Sequence, residues 1–190
     1  MKIENNKKVW FTSDSHASHR NIIKYCNRPF KSVEEMNAKL IENWNALIEP
    51  GGLTFHLGDF CFGTIENWKD FRSQLNGDII LIKGNHDKFQ NGQIKHLFLD
   101  VFDFLEIDVL DDDANQGWQH ITLCHYALKV WNRSHHGSYS LHGHSHGTLP
   151  DDPNSLSFDV GVDCREYKPI SYNHVKEIMA TKTFKPPAPR

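Results

Sequence analysis

The alternation of apolar and polar positions divides the first half of the chain into strands and helices of contrasting period. Lys8-Val9-Trp10-Phe11-Thr12-Ser13 is a short β-branched and aromatic run that reads as a strand. From Ser32 to Leu47 the apolar residues Val33, Met36, Leu40, Trp44 and Leu47 recur at three- and four-residue intervals, and Ser32 with Glu35 forms a capping box, so the spacing predicts a helix. Pro50-Gly51-Gly52 ends it, and Leu53-Thr54-Phe55-His56-Leu57 reads as a buried strand stopping at Gly58-Asp59. Thr64 caps a second predicted helix to about Leu75, with Ile65, Trp68, Phe71 and Arg72 inward and Asn76-Gly77 as its close. Asp78 to Lys83 is the next strand. Strand, helix, strand, helix, strand argues for parallel βαβ units with right-handed crossovers.

The second half is richer in strands. Phe98 to Leu110 and His120 to Cys124 read as neighbouring strands around an acidic Asp111-Asp112-Asp113 turn. Tyr139 to His142 and Ser157 to Val162 follow, and Ser171 to about Ala180 is a closing helix with Val175, Ile178 and Met179 inward. One domain over residues 1–182 is expected, with 183–190 as a flexible proline-rich tail.

Composition narrows the function classes. A 190-residue chain with 38% hydrophobic and 24% charged residues is a soluble globular domain, and a net charge of −3 gives no overall pull toward nucleic acid or anionic membrane. Neither a signal peptide nor a membrane span is legible, so a cytoplasmic location is expected. The four cysteines, Cys26, Cys61, Cys124 and Cys164, are scattered without a C-x-x-C pair and are expected as reduced, mostly buried thiols. Thirteen dispersed histidines are far more than such a chain ordinarily carries.

The histidines concentrate where predicted strands stop. Five strand ends carry Asp14 with His16, Asp59, Asn85 with His86, His125, and His144 with His146. In an extended segment residues two apart point the same way, so Asp14 and His16 can converge. Omitting His86, the set is one of oxygen and nitrogen donors without thiolate, which suits Mn²⁺, Fe²⁺, Ni²⁺ or Zn²⁺ better than Ca²⁺ or a structural zinc site. Seven donors exceed the needs of one tetrahedral ion. Two divalent ions sharing one bridging carboxylate would use them all, polarise a phosphoryl oxygen and make hydroxide available near neutral pH. His56, His96, His120, His142 and His174 read as ordinary surface or core residues.

This ordered set, D-x-H, G-D, G-N-H-D, a lone His and G-H-x-H, resembles the calcineurin-like metallophosphoesterase superfamily over about residues 9 to 163. The resemblance implies an α/β fold, a four-layer αββα sandwich of two mixed β-sheets flanked by helices, with a dimetal site at the C-terminal rim of the strands. It implies that Asp14, His16 and His146 hold one metal, that Asn85, His125 and His144 hold the other, and that Asp59 bridges. Manganese is the expected pair. His86 would donate a proton to the leaving alkoxide, and Asp87 would orient that imidazole.

Departures from the superfamily's branches narrow the expectation. Phe62 stands where purple acid phosphatases carry the tyrosine that binds ferric iron, and Phe62-Gly63 and Lys88-Phe89 stand where protein serine/threonine phosphatases carry arginines. The chain is most similar to the small phosphoesterases of bacteria and phages. His19, Asn21 and Arg28 after the first motif, and Arg133 before the last, are candidate contacts to substrate. The expected activity is hydrolysis of a phosphomonoester or phosphodiester by in-line attack of a dimetal-bound hydroxide. The substrate is a small phosphate ester or nucleotide in preference to nucleic acid. A nuclease and a catalytically silent, metal-dependent interaction module are the alternatives.

Overall fold

The computed structural model describes residues 1–4, 6–89 and 91–184. In chain order its strands are β1 (Lys2–Ile3), β2 (Val9–Thr12), β3 (Leu53–His56), β4 (Asp78–Ile82), β5 (Asp100–Phe102), β6 (Leu105–Leu110), β7 (Trp118–Leu123), β8 (Tyr139–His142), β9 (Ser157–Asp159) and β10 (Ile170–Ser171). The α-helices are α1 (Ile22–Tyr25), α2 (Val33–Leu47), α3 (Ile65–Ser73), α4 (Asn91–Ile94) and α5 (Tyr172–Ala180).

Period-two alternation sorts the apolar side chains into two cores. Along β4, Ile80 and Ile82 face one way and Ile79 and Leu81 the other, and all four are buried. Ile80 and Ile82 join Phe11, Phe55, Ile107, Ile121, Leu123, Leu141 and Phe158 between two sheets, while Ile79 and Leu81 pack under Met36, Leu40 and Trp44 of α2 and Trp68 and Phe71 of α3. The two sheets run β1-β6-β7-β8-β9 and β10-β2-β3-β4-β5. β6/β7 and β10/β2 pair antiparallel and the remaining neighbours parallel. Two mixed sheets flanked by helices are thus the architecture, as the family resemblance implied and the βαβ pattern of the first half allowed.

Parallel pairing gathers the strand ends that matter. Thr12 pairs with His56 and His56 with Leu81, so β2, β3 and β4 finish side by side; Leu123 pairs with Leu141 and His142 with Asp159, so β7, β8 and β9 do the same. Ser13 bridges Gly161 just past these ends and joins the rims of the two sheets.

Helix starts follow their caps. Ser32 Oγ accepts the Glu35 N–H at 3.2 Å, but Glu35 Oε2 returns to the N–H of Lys31 at 2.7 Å, one residue outside the expected box. Thr64 and Asn67 complete a box at α3. The helix predicted to run to Leu75 gives way at Gln74, and Arg72 donates to the carbonyls of Leu75, Gly77 and Leu97, tying the turn.

Some boundaries differ from the sequence pattern. β1 was not legible, because two residues carry no periodicity; it exists by parallel pairing with Asp108 and Val109 of β6. Phe98 to Leu110 splits into β5 and β6 in different sheets. Packed chain also extends two residues past the expected end of the domain: the Thr183 N–H donates to Pro153 O at 2.7 Å, and Phe184 packs on the inter-sheet core. The expected tail from Lys185 to Arg190 lies outside the described residues. All four cysteines are free thiols; Cys61 is buried and the other three are partly exposed.

Candidate metal centre

The rim side chains leave their strands through left-handed backbone. Asp14, His16, Asp59, His144 and His146 all have positive φ, at 56°, 46°, 55°, 68° and 47°. This corrects the expectation that Asp14 and His16 converge from an extended segment: both converge from left-handed backbone. Such conformations cost about 1–3 kcal/mol each for residues with a Cβ and persist only where surrounding structure holds them. Here backbone hydrogen bonds hold them. Asp14 N–H donates to Gly58 O and His16 N–H to Asp59 O, both at 2.9 Å, and Gly143 N–H donates to His125 O at 3.0 Å. Two glycines make the approach feasible. A Cβ on Gly58, whose φ is +95°, would lie 2.7 Å from His125 Nδ1, and one on Gly84 would lie 2.7 Å from the Asp59 nitrogen.

All seven expected ligands come to this rim. Asp14, His16 and His146 can offer donor atoms within 4.8 Å of one another, as can Asp14, Asp59 and His125. Asp59 Oδ2 stands 3.3 Å from His16 Nε2 and 3.6 Å from His125 Nε2, between two histidines from different sheets' rims. Asn85 Oδ1 lies 3.0 Å from His125 Nε2. His144 donates its N–H to Asp14 Oδ2 at 2.9 Å, and its ring meets that of His125 at a centroid distance of 5.1 Å.

The donor set is short of positive charge. Burial pushes the Asp14 carboxyl up to about 8, with His146 opposing and the neighbouring Asp159 and Asp59 adding to the rise. His16 is pushed down to about 4 by burial, which outweighs Asp59. Burial also lowers His125 against the pull of Asp59. For Asp59 burial would raise the carboxyl, but His16, His125 and the His86 N–H outweigh it and hold it down to about 2. His146 is raised: burial would depress it, and the Asp163 and Asp14 carboxylates prevail.

These atoms fit divalent cations. His16 Nε2 is buried without a hydrogen-bond partner, although Asp59 Oδ2 is close by. Both nitrogens of His125 face oxygens, Leu57 O at 2.7 Å and Asn85 Oδ1 at 3.0 Å, and a neutral imidazole can donate to only one. Unused lone pairs on His16 and His125 flanking a buried carboxylate are what a cation site of borderline softness requires. A third grouping, Cys26, His146 and Asp163, is a poorer candidate. Burial pushes the Cys26 thiol up to about 11, and Asp163 is already committed to other partners.

The remaining site residues divide. The His86 ring meets His16 edge-on at 5.3 Å, and its N–H donates to Asp59 Oδ1 at 2.8 Å. His19 reaches the rim: its Nδ1 lies 3.4 Å from His16 Nδ1, and its ring stacks on the half-exposed Phe62 at 4.2 Å. Asp87 does not orient the His86 ring. Its carboxylate accepts the backbone N–H groups of Asp59 at 2.8 Å, Phe60 at 3.0 Å and Gly84 at 2.9 Å, clasping the β3 and β4 loops together. Asn21 is exposed at the start of α1, where its carbonyl takes the N–H groups of Lys24 and Tyr25.

Both arginines depart from the expected substrate contacts. Arg28 is buried, and its guanidinium is spent on Asp163, Ser15 O and Asp14 O, leaving no free fork for a phosphate. Arg133 is exposed beside Asp113, Gln116 and Trp118, which lie toward the start of β7, whereas His125 follows its end. Asp163 was missed in the sequence. Asp159 was missed too; it accepts from Ser145 Oγ at 2.6 Å and from the N–H groups of Gly147 and Gly161. The signal was available, since Asp159-Val160-Gly161-Val162-Asp163 follows a sixth strand end.

Comparison with known proteins assigns the class. The calcineurin-like phosphoesterase family profile matches residues 7–176, and the chain belongs to that family. It is 32% identical over 180 residues to the uncharacterized protein MJ1445 of Methanocaldococcus jannaschii, covering 91% of this chain and 92% of that one. Over 82 residues it is 32% identical to the Gene 66 protein of Mycobacterium phage L5, covering 42% of this chain and 39% of the phage protein. The fold matches the crystal structure of AQ665, a protein of unknown function from Aquifex aeolicus. That match has a TM-score of 0.67 and 23% identity, over 90% of this chain and 98% of the other. Membership places it in a family whose activity is metal-dependent phosphoester hydrolysis. Among the described residues no helix is long and apolar enough to cross a membrane.

Proposed function

We propose that this protein hydrolyses a small phosphomonoester or phosphodiester, a nucleotide included, at a dinuclear centre. Asp14, His16 and His146 would hold one divalent ion, Asn85, His125 and His144 the other, and Asp59 both. Manganese is the preferred occupant, with Fe²⁺, Ni²⁺ or Zn²⁺ also suited to the donors. When bound, such a pair supplies Lewis acidity toward a phosphoryl oxygen and acidifies water near neutral pH.

The protein's own groups supply the rest. His86 is the candidate general acid for the departing alkoxide: it borders the ligand cluster through His16 without a donor atom among the grouped ligands. Phe62 and Tyr126, 42% and 47% exposed, flank the centre through contacts with His19 and with His144, leaving apolar surface for a leaving group. Free thiols fit a reducing cytoplasm.

The observation that carries this reading is Asp59 Oδ2 set between the Nε2 atoms of His16 and His125. The test is hydrolysis of nitrophenyl phosphate mono- and diesters across Mn²⁺, Ni²⁺, Zn²⁺ and Mg²⁺. Metal-dependent turnover supports it, and silence of the metal-loaded protein on the whole panel would favour an interaction module instead.

A further inference from the structure

Arg28 and Asp163 lie 135 residues apart in sequence and form a charge pair inside the protein. Their Nε–Oδ1 and Nη2–Oδ2 distances are both 2.8 Å, a two-pronged pairing with the Arg28 side chain fully buried and that of Asp163 6% exposed. Neither end of the pair is idle. Asp163 Oδ2 also lies 2.7 Å from His146 Nδ1, a contact that holds a proton on Nδ1 and turns Nε2 toward Asp14 Oδ1 at 3.9 Å. Arg28 Nη2 donates to Asp14 O at 2.7 Å and Nη1 to Ser15 O at 2.9 Å, carbonyls of the segment in which Asp14 and His16 hold their positive φ.

One guanidinium therefore reaches two of the segments that converge on the centre: directly to residues 14–15 and through Asp163 to His146. We infer that Arg28 and Asp163 are positioning residues that pre-set the Asp14, His16 and His146 half of the centre for its ion and leave the Asn85, His125 and His144 half to assemble without them. In the second half, Leu57 O holds His125 with no part played by Arg28 or Asp163. A lysine cannot replace the arginine, because one ammonium cannot reproduce a planar fork that bonds a carboxylate and two carbonyls together.

This inference rests on the proposed two-ion centre, and its test separates the two. Manganese binding to wild type, Arg28→Lys and Asp163→Asn is measured by calorimetry at fixed pH, with circular dichroism as the check on folding and electron paramagnetic resonance as the signature of ion pairing. Asp163→Asn keeps the shape and an oxygen for His146, so it tests the inference even if the arginine variant is unstable. Wild type should bind two ions that couple magnetically. Each folded variant should keep one site unchanged and lose about 10- to 100-fold in affinity at the other, giving an uncoupled single-ion spectrum when one equivalent is added. Two unchanged sites in folded variants would overturn the inference and leave the centre standing. Absence of paired ions in wild type would remove the centre and the inference with it.

Discussion

Asp59 Oδ2 lies 3.3 Å from His16 Nε2, yet that buried nitrogen has no hydrogen-bond partner. A carboxylate and an imidazole this close, with the ring nitrogen outside hydrogen-bond geometry, turn two electron-pair donors toward the same space. Asp59→Asn keeps the shape and removes the charge that would hold two cations together. Manganese-dependent hydrolysis of a nitrophenyl ester should fall to background in Asp59→Asn, and in Asn85→Ala. Turnover undiminished in both variants would leave the centre without a catalytic role.

His86→Ala should behave differently. Since His86 reaches Asp59 through its backbone N–H and not its ring, the variant should bind manganese as wild type does. Turnover of an alkyl phosphate should drop by about 10²- to 10⁴-fold, while an activated aryl ester, which needs little acid assistance, should lose much less. Equal losses on both substrates would argue against proton donation.

Asp87 should report on stability before chemistry. Three backbone N–H groups lose a buried carboxyl acceptor in Asp87→Ala, a loss of about 3 kcal/mol or more. For a chain of this size that lowers Tm by about 6–12 °C, read by circular dichroism on the metal-free protein. An unchanged melt with lost turnover would return Asp87 to the role of orienting His86.

Acid sensitivity should trace in part to His56, alongside His16 and His125, which burial also holds below the ordinary imidazole range. The Nε2 of His56 pairs with Ser15 Oγ at 2.8 Å, and burial drives the pKa of His56 down to about 3. The sign follows from proton binding: below about 6.5 the unfolded chain takes up a proton that the folded chain refuses, so stability present above that pH is lost as pH falls toward 3. Unfolding free energy should decline by about 1.4 kcal/mol per pH unit for this group. His56→Gln should flatten the slope between pH 6 and 4 in urea titrations, and an unaltered slope would place the acid sensitivity elsewhere.

Arg133 supplies a negative control. It lines a cavity with Asp113 and Trp118 near the start of β7, so Arg133→Ala should leave turnover unchanged and stability within about 0.5 kcal/mol. A large loss of turnover would bring the loop from Trp131 to Ser138 back to the site.

How much of this was legible in the sequence depended on whether a residue's role is local. β2, β3 and β4 follow from short apolar and aromatic runs, α2 and α3 from a three- to four-residue period, and the proposed metal ligands from polar residues where the strands stop. Asp163, Arg28 and Asp87 act across folds of the chain. A guanidinium that bonds Asp163, 135 residues away, has no sequence pattern to distinguish it from a surface arginine next to a proline. Asp87 sits next to His86 in sequence but bonds 27 and 28 residues back, to Phe60 and Asp59, so adjacency pointed to the wrong partner. The left-handed backbone at Asp14 and His16 was hidden for a related reason: tertiary hydrogen bonds, not residue type, hold it.

The central claim is that Asp59 stands between two cations held by the rims of two sheets. Crystals of the wild-type protein soaked in manganese and measured for anomalous scattering test it most directly. Two peaks should appear, one bounded by Asp14, His16 and His146 and the other by Asn85, His125 and His144, with an Asp59 oxygen between them. A rim without anomalous signal, or a lone ion bound away from Asp59, would contradict it.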